Sequence, residues 1–165
     1  MENLEVWMRG PIAGIPDLLQ PVAHTLSQVA EDVSTYTDQL SAQQLWTKPC
    51  GNASIGFHLQ HISGVIDRMF TYAESKPLSD EQLNYLHREG IEDVDASLAS
   101  LIENLHQQIN RSLQKLALID PNILTEQRFL GRKRIPTTLI GLLFHAAEHA
   151  QRHVGQLLVT ARCLQ

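Results

Sequence analysis

The sequence predicts an all-α protein, a four-helix bundle with a short accessory helix and an irregular N-terminal lead-in. Three observations predict it: four long stretches repeat apolar residues at alternating spacings of three and four, polar breaker-rich segments separate them, and no stretch carries a convincing strand alternation. At 165 residues the chain fits one domain, 1–165, with a bundle core over about 17–162. A chain of this length buries roughly 70% of its unfolded surface, enough for a single hydrophobic core.

Gly10, Pro11, Gly14 and Pro16 crowd the segment from Trp7 to Pro16 and exclude a regular helix or strand interior there. This lead-in has room to fold over one end of the bundle. From Pro16 or Asp17, the residues Leu19, Val22, Leu26, Val29, Val33, Tyr36 and Leu40 draw one stripe down a first helix. After a loop through Pro49 and Gly51, a second stripe runs Ile55, Leu59, Ile62, Ile66, Met69, Ala73 and ends before Pro77. Ser79 and Gln82 have capping-box spacing, which suggests a short accessory helix over Ser79 to Glu89, closed by Gly90. A third long helix carries Leu98, Leu101, Ile102, Leu105, Ile109, Leu113 and Leu116 and stops before Pro121. Leu124 to Pro136 is an irregular or hairpin-like connection with Arg132, Lys133 and Arg134 at its tip; a solvated loop is the default, contact with an anionic substrate the alternative. The fourth long helix opens at Pro136 or Thr137 and runs through Leu139, Leu142, Leu143, Ala146, Ala150 and Leu157 to about Arg162.

The formal charge of −5 and pI near 5.9 disfavour nucleic acid or an anionic membrane as the main partner. A small-molecule substrate fits better, and a homodimer is compatible. Met1 to Glu5 has no basic apolar leader and no stretch reaches a membrane span, so a cytoplasmic location is expected. Cys50 and Cys163 stand far apart and in no CxxC spacing, which fits reduced thiols rather than a disulfide.

Histidine is the unusual residue. Five of the eight fall in two short segments, Phe57-His58-Leu59-Gln60-His61 and the ladder His145, His149, His153. Histidines four apart stack on one side of a helix, and each step of four turns the direction by roughly 40°, so the ladder spirals. Against the core stripe, His153 points most nearly inward, His149 lies slightly aside and His145 falls on the flank, making His149 and His153 the better ligand pair. A lone histidine on an apolar face is more often a hydrogen-bonded core residue than a ligand. Three uncharged imidazoles at i, i+4 and i+8 would all need partners if buried, which favours a metal site. A third ligand must come from elsewhere; on the second helix the wheel puts His58 inside the apolar face and His61 at its edge, and slightly prefers His58.

Two other metal patterns are testable. The ferritin-like di-iron site needs two Glu-x-x-His pairs, and only Glu103 with His106 matches. His145-Ala146-Ala147-Glu148-His149 spells the H-x-x-E-H of inverted zinc peptidases, against which stand the short chain and a wheel that turns Glu148 away from His149 and His153.

Ser54-Ile55-Gly56-Phe57-His58-Leu59-Gln60-His61-Ile62, with His145 to Gln156 much later, resembles the DinB-like superfamily of metal-binding four-helix bundles, named after damage-inducible, stress-response bacterial proteins. The resemblance covers about Asp17 to Arg162. It implies that the ligands are His61, seven positions after Ser54, and His149 and His153, the H-x-x-x-H just before Gly155-Gln156. His58 stands where the family usually has an apolar residue, which leaves it a fourth ligand or a supporting group. The resemblance further implies one divalent transition metal ion, zinc or nickel first and iron or copper as alternatives. Activities in the family include transfer of low-molecular-weight thiols, so an S-transferase is the implied reaction. A hydrolase using a metal-bound hydroxide and a non-enzymatic metal- or ligand-binding module are the alternatives.

Overall fold

The structure, a computed structural model, describes residues 4–165; the rest of the Met1 to Glu5 segment lies outside the described residues. Four long helices form the bundle: α1 (Gln20–Thr37), α2 (Ile55–Ala73), α4 (Leu98–Ala117) and α5 (Leu139–Leu164), with the short α3 (Asp80–Arg88) between α2 and α4. The apolar stripes are the buried faces. Leu19, Val22, Leu26, Val29 and Val33 from the first stripe join Ile55, Leu59, Ile62 and Ile66, then Leu105, Ile109 and Leu116, then Leu143, Ala146, Ala150 and Leu157, in one connected core.

Around the bundle α1 packs on α5, α5 on α2, α2 on α4 and α4 on α1. Helices α1 and α2 are consecutive in sequence yet lie across the diagonal, so the segment between them must cross one end of the bundle. This arrangement makes α2 and α5, the two histidine-bearing helices, direct neighbours. Trp46 on the crossing segment packs over α2, where Gly56 has no side chain: a Cβ there would sit 2.4 Å from the indole ring.

Helix starts follow the expected chemistry. Ser54, Ser79, Ser97 and Thr138 each accept a backbone N–H of the first turn, and Ser79 with Gln82 forms the expected capping box. The connection before α5 is a two-stranded antiparallel hairpin, β1 (Gln127–Leu130) and β2 (Ile135–Thr138), turning at Gly131 with φ of +64°. Pro136 therefore lies in β2, and the last helix begins three residues later than its proline suggests. The lead-in lies along the flank of α1. Gln28 accepts the N–H of Val6, Gln20 bonds the backbone of Ile12 and Ile15, and Arg9 pairs with Glu31 at 2.6 Å. No described helix is long and apolar enough to cross a membrane.

Candidate metal centre

The seam between α2 and α5 brings together His61, His149 and His153, with one ring nitrogen from each within 4.8 Å of the others. His61 Nε2 faces His149 Nε2 at 2.9 Å. Phe57, one turn before His61, stacks on its ring at 5.2 Å and meets His153 edge-on, so an aromatic wall closes one side. All three ligand candidates are half-buried, which leaves the cluster open to solvent on another side.

His58, the residue the wheel slightly preferred, is 2% exposed and stands behind the cluster, its Nδ1 3.1 Å from Nδ1 of His153. It belongs to the core, as its wheel position implies, and serves as hydrogen-bond partner to His153. That contact occupies Nδ1 of His153 and leaves Nε2 as the free nitrogen of that ring. His145 flanks His149, with ring centroids 5.1 Å apart, but stands outside the group of three; its side chain is 41% exposed and its Nδ1 bonds Glu148 at 2.9 Å. His145, Glu148 and His149 also approach one another within 4.8 Å, so the H-x-x-E-H segment closes up locally, with Glu148 tied to Arg152 as well.

Glu89 and Arg68 are the partners that sequence reasoning missed. Glu89 follows the last turn of α3 and places Oε2 2.6 Å from His61 Nδ1 while Oε1 takes a 2.6 Å bond from Arg68; their side chains are 5% and 8% exposed. A signal was present: Arg68 stands seven residues, two helical turns, after His61 on the same face, with Gly64 between them. A charged residue on that face needs a buried partner.

The electrostatics suit a cation. Burial, with the neighbouring rings of His61 and others adding to it, pushes His153 down to about 3, and burial together with His61 pushes His58 down to about 4. Burial first, and then His61, also lowers His149. These rings are therefore neutral at pH 7, the form that ligates metal. His61 Nδ1–H donates to Glu89 Oε2 at 2.6 Å, which leaves Nε2 as the nitrogen that faces His149. Where Nε2 of both rings carries a lone pair, the two nitrogens flank the place of a cation; in the other tautomer of His149 its Nε2–H donates to His61 in an ordinary N–H···N bond. The Nδ1 of His149 is buried without a hydrogen-bond partner among the described residues. Nitrogens bound at 2.0–2.1 Å to one tetrahedral ion lie roughly 3.3–3.4 Å apart. The His61 and His149 rings need only a shift of about half an ångström to reach that spacing. The donor set thus fits a divalent transition metal.

Residues 25–157 match the DinB superfamily, most of the chain and all of this site. The chain belongs to the DinB superfamily. No curated protein matches it in sequence. Among solved structures, this DinB chain is similar to a conserved protein from Enterococcus faecalis, with a TM-score of 0.68 at 17% identity over 90% of this chain and 97% of the other. It is also similar to YfiT from Bacillus subtilis, described as a probable metal-dependent hydrolase with an unusual four-helix bundle topology. There the TM-score is 0.65 at 14% identity, over 93% of this chain and 91% of that one. At such identities the likeness shows the DinB fold alone.

Proposed function

We propose that this protein is a metal-dependent enzyme in which His61, His149 and His153 hold one divalent cation, zinc or nickel in the first place, and a low-molecular-weight thiol from solution attacks a small electrophilic substrate. The observation that supports it is the convergence of three half-buried imidazoles with no cysteine beside them: Cys50 and Cys163 are exposed, on the crossing segment and at the end of α5. A bound ion at this position supplies positive charge that lowers the pKa of a thiol. The chain's residues do the rest. Phe57 shields one side of the cluster, His58 and Glu89 hold the rings of His153 and His61, and the open side admits thiol and electrophile. A sealed site would instead suit a non-enzymatic module.

Hydrolysis is the second reading, and Glu148 favours it. Burial works to raise its pKa, but bonds to Arg152 and the proximity of His145 outweigh that and hold it below the usual carboxylate value, so it is ionised and able to accept a proton near His149. The solved neighbour described as a probable hydrolase points the same way.

The test supplies glutathione, bacillithiol and mycothiol in turn with a reactive halide or epoxide to metal-loaded wild type, His149→Ala and a Cys50→Ser, Cys163→Ser double variant. Conjugation lost in His149→Ala and kept in the double variant is expected. Turnover that survives His149→Ala, or disappears with the cysteines, refutes the thiol mechanism. Silence with every thiol, alongside metal-dependent ester or amide hydrolysis that falls in Glu148→Gln, establishes the second reading instead.

A further inference from the structure

The geometry points to Glu89 as a positioning residue for the metal centre: anchored by Arg68, its carboxylate fixes His61 with the proton on Nδ1 and the lone pair of Nε2 aimed at the α5 histidines. This rests on the three-histidine centre proposed above and adds a third element, the short α3, to a site built on α2 and α5.

Glu89 sits 28 residues from His61, and several features act together to bring it there. Gly90 turns the chain with φ of +80° directly over Phe57, where a Cβ would come within 2.9 Å of the ring. Its N–H donates to Gln60 Oε1 at 2.8 Å, and Tyr85 donates to the Gln60 carbonyl at 3.1 Å. Gln82 reaches Asp67 and Thr71, each at 2.7 Å. On the α2 side Gly64 leaves the space that the Glu89 carboxylate and Arg68 guanidinium fill.

No residue of α3 is buried, so this docking gains little from apolar burial. A nearly buried carboxylate bridging a guanidinium and an imidazole is instead its innermost contact. Removing a carboxylate from water is unfavourable unless both oxygens are satisfied, and here each has one charged or polar partner. An imidazole that ligates through one nitrogen needs the other held by an acceptor to fix its tautomer and ring angle, and loss of such a partner weakens metal binding by about 10–100-fold. Among the three candidate ligands His61 alone has a carboxylate at this place; His153 has the neutral His58, and Nδ1 of His149 has no partner among the described residues.

The experiment uses the full chain as wild type, Glu89→Ala, Glu89→Gln, His61→Ala and the Glu89→Ala, His61→Ala double variant. Zinc affinity is measured by competition with a chromophoric chelator, and the His61 tautomer of metal-free protein by long-range proton–nitrogen correlation in NMR. Wild type is expected to hold His61 with its proton on Nδ1. Glu89→Ala should lose that preference and about 10–100-fold in zinc affinity, and Glu89→Gln, whose one amide oxygen can accept from His61 Nδ1–H while its NH2 faces the Arg68 guanidinium as a second donor, should fall between Glu89→Ala and wild type on both. In the His61→Ala background, removing Glu89 should cost no further affinity. A zinc affinity in Glu89→Ala within about threefold of wild type, or an equal loss with and without His61, overturns the assignment. Wild type that takes up neither zinc nor nickel defeats the proposed function. The tautomer then decides the role of Glu89 by itself, a His61 ring unchanged in Glu89→Ala refuting it.

Discussion

Replacing Gly64 with alanine perturbs the site without altering any candidate ligand or its bonding partners. An alanine Cβ at this place lies 2.4 Å from Glu89 Oε1, 2.6 Å from the Arg68 guanidinium and 2.9 Å from the Tyr85 ring, whereas ordinary contact begins at 3.4 Å. The carboxylate oxygen must therefore retreat by about 1 Å and the guanidinium by nearly as much. Retreat of the two groups in different directions opens the 2.6 Å bond between them. A hydrogen bond to a charged group contributes about 1.5–3 kcal/mol, while alanine gains about 1 kcal/mol over glycine in a helix interior. With that bond lost, the expected net loss is about 0.5–2 kcal/mol, or roughly 1–8 °C in melting temperature for a chain of this size. Zinc affinity should fall with it as Glu89 loses its hold on His61. Thermal melts in chelator and a zinc competition titration read the two effects separately. A Gly64→Ala protein more stable than wild type, with wild-type zinc affinity, would show that α3 yields freely and that the glycine exists for another reason.

Three further outcomes are expected. His61→Ala, His149→Ala and His153→Ala should each leave the protein without metal as purified, their residual affinity readable only by titration, while His145→Ala keeps most of it, measured by elemental analysis of untagged protein; full occupancy in His153→Ala refutes the ligand set. Chelation should lower the melting temperature and leave the far-ultraviolet helical signal in place at room temperature, because the four apolar faces form a core unaided. For pH, His58 titrates at about 4 in the folded protein against 6.5 as the ordinary value, so the unfolded chain binds more protons between those limits. Stability is thus full above pH 6.5 and is lost as pH falls toward 4, by about 3 kcal/mol from this residue. His153 extends the loss toward pH 3. Metal-free melts at pH 7.5 and 4.5 should show this slope flattened in His58→Leu, and parallel slopes in the two proteins would rule His58 out as its source.

Much of the bundle was legible in the spacing of Leu, Ile and Val, because a helix that packs on one side must repeat its apolar residues near every 3.6 positions. The same wheel read the burial of His58 and the edge position of His61 well. The slight preference for His58 ranked depth alone, whereas His61, His149 and His153 cluster at the seam between two helices, where rings meet one another and still reach solvent. The ladder supplied both α5 residues because i and i+4 share a face. Glu89 was not legible, since α3 is polar all round and no periodicity says which helix it docks on. The lead-in was equally silent. Its place along α1 depends on bonds from Gln20 and Gln28 to backbone groups, which no hydrophobic pattern encodes.

His61 and His149 are 88 residues apart in the chain. Bringing two points so distant together in an unfolded polypeptide costs roughly 4 kcal/mol in loop-closure entropy, before any ligand geometry is imposed. A metal ion meeting the nascent chain finds only groups local to the last helix, the pair His149 and His153 or the set His145, Glu148 and His149. The full set exists only after α2 and α5 have paired, which the apolar faces accomplish by themselves. An ion held by all three histidines would therefore arrive last, and which ion that is would depend on the supply that the finished protein encounters.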